Sequence, residues 1–136
     1  MKVIALVLAH LLPGIAAQAE EVRHASIVGV IDAQLEAFRR DDGSASFSFA
    51  TRDIQAMFGT PADFLKMVAE AYQAVYRPRE VTYADLIQEN DRLVQRVLFT
   101  KSDDKRVLAF YMMARQPDRT WRIAGCVLFE LKCQPA

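Results

Sequence analysis

A change of hydrophobic period at Pro78 constrains this chain more than any other feature: before it apolar residues recur at helical spacing, and after it they alternate. Upstream, Ile27, Val30, Ile31, Leu35 and Phe38 form the one-faced stripe of an amphipathic helix, which Asp41-Asp42-Gly43 ends. Ser44 to Ala50 (SASFSFA) fits a short strand or a short helix. Ile54, Met57 and Phe58 then repeat at i, i+3, i+4 ahead of Gly59, which favours helix across this region. Thr60-Pro61-Ala62-Asp63 is a helix start, with Thr60 as N-cap, Pro61 in the first turn and Asp63 near the positive dipole end. Its buried stripe is Phe64, Leu65, Val68, Tyr72 and Val75. Pro78 biases Arg77 away from helical dihedrals, so this helix should finish near Tyr76.

Downstream, alternation predicts strands over Glu80 to Gln88, Leu93 to Thr100, Arg106 to Arg115 and Thr120 to Leu131, separated by polar turn clusters. The last, TWRIAGCVLFEL, places Trp121, Ile123, Val127, Phe129 and Leu131 on one face and Arg122, Ala124, Cys126, Leu128 and Glu130 on the other. A strand apolar on both faces belongs inside a sheet with neighbours on both edges. The expected fold class is α+β: N-terminal helices packed on a curved four-strand antiparallel sheet, cone-like in outline. Its expected core is Ile31, Leu35, Phe38, Phe64, Val68, Trp121, Ile123 and Val127.

Composition narrows the function classes. The 136 residues hold 17 basic and 17 acidic side chains, so the electrostatic footprint of a nucleic-acid or anionic-membrane binder is missing. Met1-Lys2, the apolar run Val3 to Leu12 and the small-x-small triplet Ala17-Gln18-Ala19 form a signal-peptide pattern, cut after Ala19. The organisation expected is therefore a signal peptide over 1–19 and one α+β cone domain over 20–136, delivered to a bacterial periplasm or secreted. The apolar run is shorter than the roughly 20 residues of a spanning helix, so no stable membrane insertion is expected. Cys126 and Cys133 are too far apart along an extended strand to bridge unless the chain doubles back after Phe129. Cys126 accordingly reads as a small core residue and Cys133 as an exposed thiol.

The order of elements, with the long first helix and the closing Trp121-Arg122-Ile123 strand, resembles the nuclear-transport-factor-two-like or cystatin-like α+β cone superfamily. IDAQLEAFRRDD (Ile31 to Asp42), FGTPADFLKMV (Phe58 to Val68), AYQAVYRPREV (Ala71 to Val81) and WRIAGCVL (Trp121 to Leu128) are similar to an uncharacterised exported bacterial family, a domain of unknown function. The resemblance implies a sheet and helices enclosing a pocket, and sheets that often pair back to back. It implies no one activity, because the superfamily includes enzymes, adaptors and binding modules.

Chemistry-bearing motifs are few. His10 leaves with the signal and His24 lies near the new N-terminus, so Ser-His-Asp and Cys-His schemes have no histidine to use. No metal-ligand spacing and no Gly-rich phosphate loop occurs, so neither metal nor cofactor is expected. What remains is acid-base chemistry in an apolar pocket, with Asp85 as base on the same strand face as Tyr83. The candidate pocket walls are Tyr72, Tyr76, Tyr83, Tyr111 and Trp121. The leading expectation is a non-catalytic binding module for a small apolar ligand or peptide. Its alternatives are a cofactor-free isomerase or dehydratase using Asp85 with a tyrosine, and a structural homodimer joined through Ala124, Cys126 and Leu128 beside Leu108, Phe110 and Met112.

Overall fold

A computed structural model describes residues 14–132. Five helices, α1 (Gly14–Arg39), α2 (Gly43–Ser48), α3 (Arg52–Phe58), α4 (Pro61–Ala71) and α5 (Gln73–Tyr76), precede four strands, β1 (Glu80–Glu89), β2 (Arg92–Thr100), β3 (Arg106–Arg115) and β4 (Trp121–Leu131). The fold is α+β, and every sheet pairing is antiparallel between sequence neighbours, in the order β1-β2-β3-β4. The expected cut after Ala19 falls inside α1, which runs through it as one helix.

Local chemistry accounts for the helix boundaries. Asp41, at φ 53°, turns the chain out of α1, and Asp42 caps α2 by accepting from the Ala45 amide at 3.0 Å. Gly59, at φ 80°, closes α3 in a backbone region that favours glycine. The Thr60 hydroxyl then accepts from the Asp63 amide at 3.1 Å, with Pro61 opening α4. The single helix expected from Thr60 to Tyr76 is two, because Tyr72 leaves helical dihedrals at φ −126° and its hydroxyl reaches across to the Cys126 carbonyl of β4 at 3.5 Å.

One face of the sheet is covered. Val97 and Phe99 of β2, Val107, Ala109, Tyr111 and Met113 of β3 and Ile123 of β4 pack with Ile27, Ile31, Leu35 and Phe38 of α1 and Phe64 and Val68 of α4. Phe64 is the hub of the helical layer, its ring centroid 5.5 to 6.1 Å from those of Phe38, Phe47 and Phe58. The buried Gln34 of α1 ties that helix to α2 by donating from Nε2 to the Ser46 carbonyl at 3.0 Å.

β4 differs from expectation in two ways. It is an edge strand: among the described residues its only pairing opposite β3 is one parallel bridge, in which Ile123 exchanges backbone hydrogen bonds with Phe49 and Thr51. It also carries a bulge, since Met112 pairs with Gly125 while Met113 pairs with Ile123, leaving Ala124 as the extra residue. The bulge reverses the parity of everything after it. Cys126 and Leu128 therefore face the core, and Val127, expected in the core, is 44% exposed on the outer face with Phe129. Trp121, also expected in the core, is half-buried. The apolar strip on the uncovered face is thus Leu108, Phe110, Val127, Phe129 and Leu131, without Cys126 and Leu128.

Candidate functional site

A pocket of about 260 Å³ lies between the helices and the inner face of the sheet on the β4 side. Its walls come from every layer: Gln34 and Phe38 of α1, Ile54, Met57 and Phe58 of α3, Phe64, Met67 and Val68 of α4, and Tyr111, Ile123, Gly125 and Cys126 of the sheet. Met57 is 72% exposed and forms part of its solvent margin. The bulge helps to shape it. A side chain at Gly125 would place Cβ 2.5 Å from Cε of Met112, so glycine leaves the space that Met112 fills at the pocket wall. Among the described residues, no charged side chain lines it.

Four polar side chains border this apolar space. Gln34 has its Nε2 engaged by Ser46, and Tyr72 makes the long bond to Cys126 described above. Tyr111 and Cys126 face each other across β3 and β4. The Tyr111 hydroxyl is buried and has no hydrogen-bond partner among the described residues. Burial, reinforced by the neighbouring thiol and by Tyr83, holds its pKa well above the ordinary tyrosine value, so it stays an O–H donor. Burial likewise pushes the Cys126 thiol up to about 12 against a lowering contact from Tyr111, so it stays protonated and unreactive near neutral pH.

The structure gathers two of the five expected wall residues, Tyr72 and Tyr111, and places the others elsewhere. Tyr76 donates to Asp41, while Arg77 stacks 4.0 Å over its ring and donates to the Phe38 carbonyl at 2.5 Å, closing the end of α1. The bond from Tyr76, aided by Arg77, lowers the Asp41 pKa and correspondingly raises that of Tyr76. Tyr83 donates to Asp32 at 2.5 Å and pins β1 to α1. Trp121 starts β4 opposite Arg115 and does not line the pocket.

The shared face expected of Asp85 and Tyr83 does not form. A bulge between Tyr83 and Leu86 makes Ala84 and Asp85 oppose Arg96 alone, and the buried Gln95 stabilises it by donating to the Ala84 carbonyl at 2.8 Å. Asp85 instead accepts from Arg96 Nε at 2.7 Å, and that bond lowers its pKa, opposite to the tuning a base working near neutrality needs. It borders a separate polar cleft of about 530 Å³ with Glu20, Arg23 and His24.

Sequence reasoning missed Gln34 and the methionines Met57, Met67 and Met112 of the apolar pocket. Gln34 had a readable signal, since it stands three residues after Ile31 on the buried stripe of α1. Met57 already stood on the apolar stripe with Ile54 and Phe58, whereas Met67 lay off the expected stripe of α4 and Met112 was expected on the outer face of the sheet, so their place at the pocket depends on tertiary packing.

Comparison with protein families matches residues 20–136 to the Domain of unknown function (DUF4864). The chain belongs to this family. No curated protein and no solved structure matches it. Among the described residues, no helix is long and apolar enough to cross a membrane, and no group of three or more His, Cys, Asp or Glu could hold a metal ion.

Proposed function

We propose that this DUF4864 chain is a non-catalytic binding module that holds a small apolar ligand, or one apolar side chain of a peptide, between its helices and sheet. The observation that carries this reading is the 260 Å³ pocket walled by Phe, Met, Ile and Val, with no charged side chain among the described residues that line it. Binding fits the site better than acid-base catalysis. The only carboxylate expected to act as base, Asp85, borders a different cleft and is held ionised by Arg96. Export with a cut after Ala19 belongs to the same proposal, supported by the charged start, apolar run and small-residue triplet of the first 19 residues. Native mass spectrometry of protein purified from its own host tests both parts. A mass beginning at Glu20 together with a retained small molecule is the expected result. An uncut chain refutes export, and a chain that carries no adduct and gains no thermal stability from apolar ligands refutes binding.

A second reading, self-association, is favoured by β4. From Cys126 to Leu131 its backbone pairs only with β3 among the described residues, while Val127, Phe129 and Leu131 are 44%, 52% and 44% exposed. Antiparallel pairing of two β4 edges about a two-fold axis would satisfy both edges and join their apolar strips.

A further inference from the structure

We propose, resting on the binding reading above, that the occupant is an extended peptide that adds as a fifth strand along the β4 edge and places one apolar side chain in the pocket. β4 lacks a neighbour its composition calls for. Its middle is apolar on both faces, with Cys126 and Leu128 inward and Val127 and Phe129 outward, as suits a strand paired on both edges. Among the described residues the fifth-strand place is taken only opposite Ile123, by Phe49 and Thr51. From Cys126 to Leu131 the backbone makes no hydrogen bond to the described residues outside its pairing with β3, except the long one that the Cys126 carbonyl accepts from Tyr72. That open edge is about 20 Å long, and an extended backbone matches the spacing of its N–H and C=O groups.

The pocket adjoins this edge. Gly125 and Cys126 of β4 line it, the exposed Met57 stands at its margin, and no described residue of β1 or β2 reaches it. Side chains of an added strand alternate, so those on the inner side meet the pocket margin beside Cys126, and those on the outer side meet Val127, Phe129 and Leu131. A cavity of about 150 Å³ accommodates benzene, so 260 Å³ has room for one Phe, Leu or Met side chain. Backbone bonds to β4 then supply affinity, and the anchored side chain supplies selectivity.

A second copy of the chain fits the edge less completely. Its β4 would pair with the backbone, but its inward side chains Cys126 and Leu128 are packed against its own core, so the pocket would stay empty. A free peptide fills both.

The test is fluorescence anisotropy of protein purified from its own host with labelled, end-capped peptides Lys-Thr-Val-X-Val-Thr-Lys, where X is Phe, Leu, Met or Gly. At least one of the first three should bind, and the Gly peptide should bind about 30-fold more weakly or worse. Alternate residues of an added strand face β4, so the best binder is also made in two N-methylated forms, one methylated at both Val residues and one at X and both Thr residues. One form should lose about tenfold or more in affinity while the other stays within about threefold of the parent. Gly binding as well as Phe, Leu and Met, or equal effects of the two methylations, overturns the proposal. Thermal stabilisation by propylbenzene without binding of any peptide overturns it while leaving the binding reading intact, and absence of both overturns both. A chain that sediments as a dimer and takes up no peptide overturns it by assigning the edge to a second copy.

Discussion

Replacing Tyr111 by Phe should stabilise the ligand-free protein, although Tyr111 is among the largest fully buried side chains in the molecule. Truncation of such a residue ordinarily destabilises, but this change keeps the ring and its packing against Phe99, at a centroid distance of 6.4 Å, and removes only the oxygen. That oxygen is buried with no hydrogen-bond partner of normal geometry among the described residues, and the thiol of Cys126 lies close enough to influence it. Leaving a buried hydroxyl unsatisfied costs about 1–3 kcal/mol, and a thiol contact recovers little of that, so the variant should gain about 1–2 kcal/mol. For a domain of this size the gain corresponds to a rise in Tm of roughly 4–8 °C. Urea unfolding followed by far-ultraviolet circular dichroism should show a higher midpoint with an unchanged m-value. The alkaline limb supplies a second readout. Because folding raises the Tyr111 pKa, the unfolded chain releases this proton near pH 10 while the folded chain keeps it, so wild-type stability falls by about 1.4 kcal/mol per pH unit above that point. In the variant this part of the slope disappears. A loss of 1 kcal/mol or more at neutral pH would refute the reasoning, since it would mean that the hydroxyl is bonded, for instance to water held in the pocket.

Cys126 has its thiol pKa pushed up to about 12 from 9.0, so iodoacetamide at pH 8 should alkylate it in the native protein roughly 1000-fold more slowly than after unfolding in urea. Comparable rates in the two states would contradict its burial. Phe129→Lys places a charge in the exposed β4 strip and should convert a sedimenting dimer at tens of micromolar into a monomer with little change in Tm; a wild-type monomer at that concentration counts against self-association. Thr60→Ala removes the acceptor that caps the Asp63 amide and should lower stability by about 1 kcal/mol in the same urea assay, with Thr60→Ser restoring most of it. Phe38→Ala should cost about 3–5 kcal/mol, because its ring joins α1 to Phe64 and the space left opens into the pocket.

Most of the short-range physics was legible in the chain, the break between α4 and α5 at Tyr72 excepted. Pro78 marks the switch from helical to alternating period, Thr60-Pro61 starts α4, and Gly59 and Asp41 sit where the backbone turns left-handed. Strand β3 spans the residues that alternation alone predicts, Arg106 to Arg115. These features depend on neighbours a few positions away, so the sequence determines them directly. The candidate site is a different matter, because it depends on parity and on which strand is left at the edge. One extra residue at Ala124 exchanges the two faces of β4, drawing Cys126 inward and turning Val127 outward; the bulge at Ala84 and Asp85 separates Asp85 from Tyr83 in the same way. Both bulges are held by distant partners: the buried Gln95 amide on the Ala84 carbonyl, and the space at Gly125 filled by Met112. A period-two pattern carries no record of a skipped pairing, so only the assembled sheet could decide that Tyr72 and Tyr111 share a pocket while Tyr76, Tyr83 and Trp121 serve the scaffold around it.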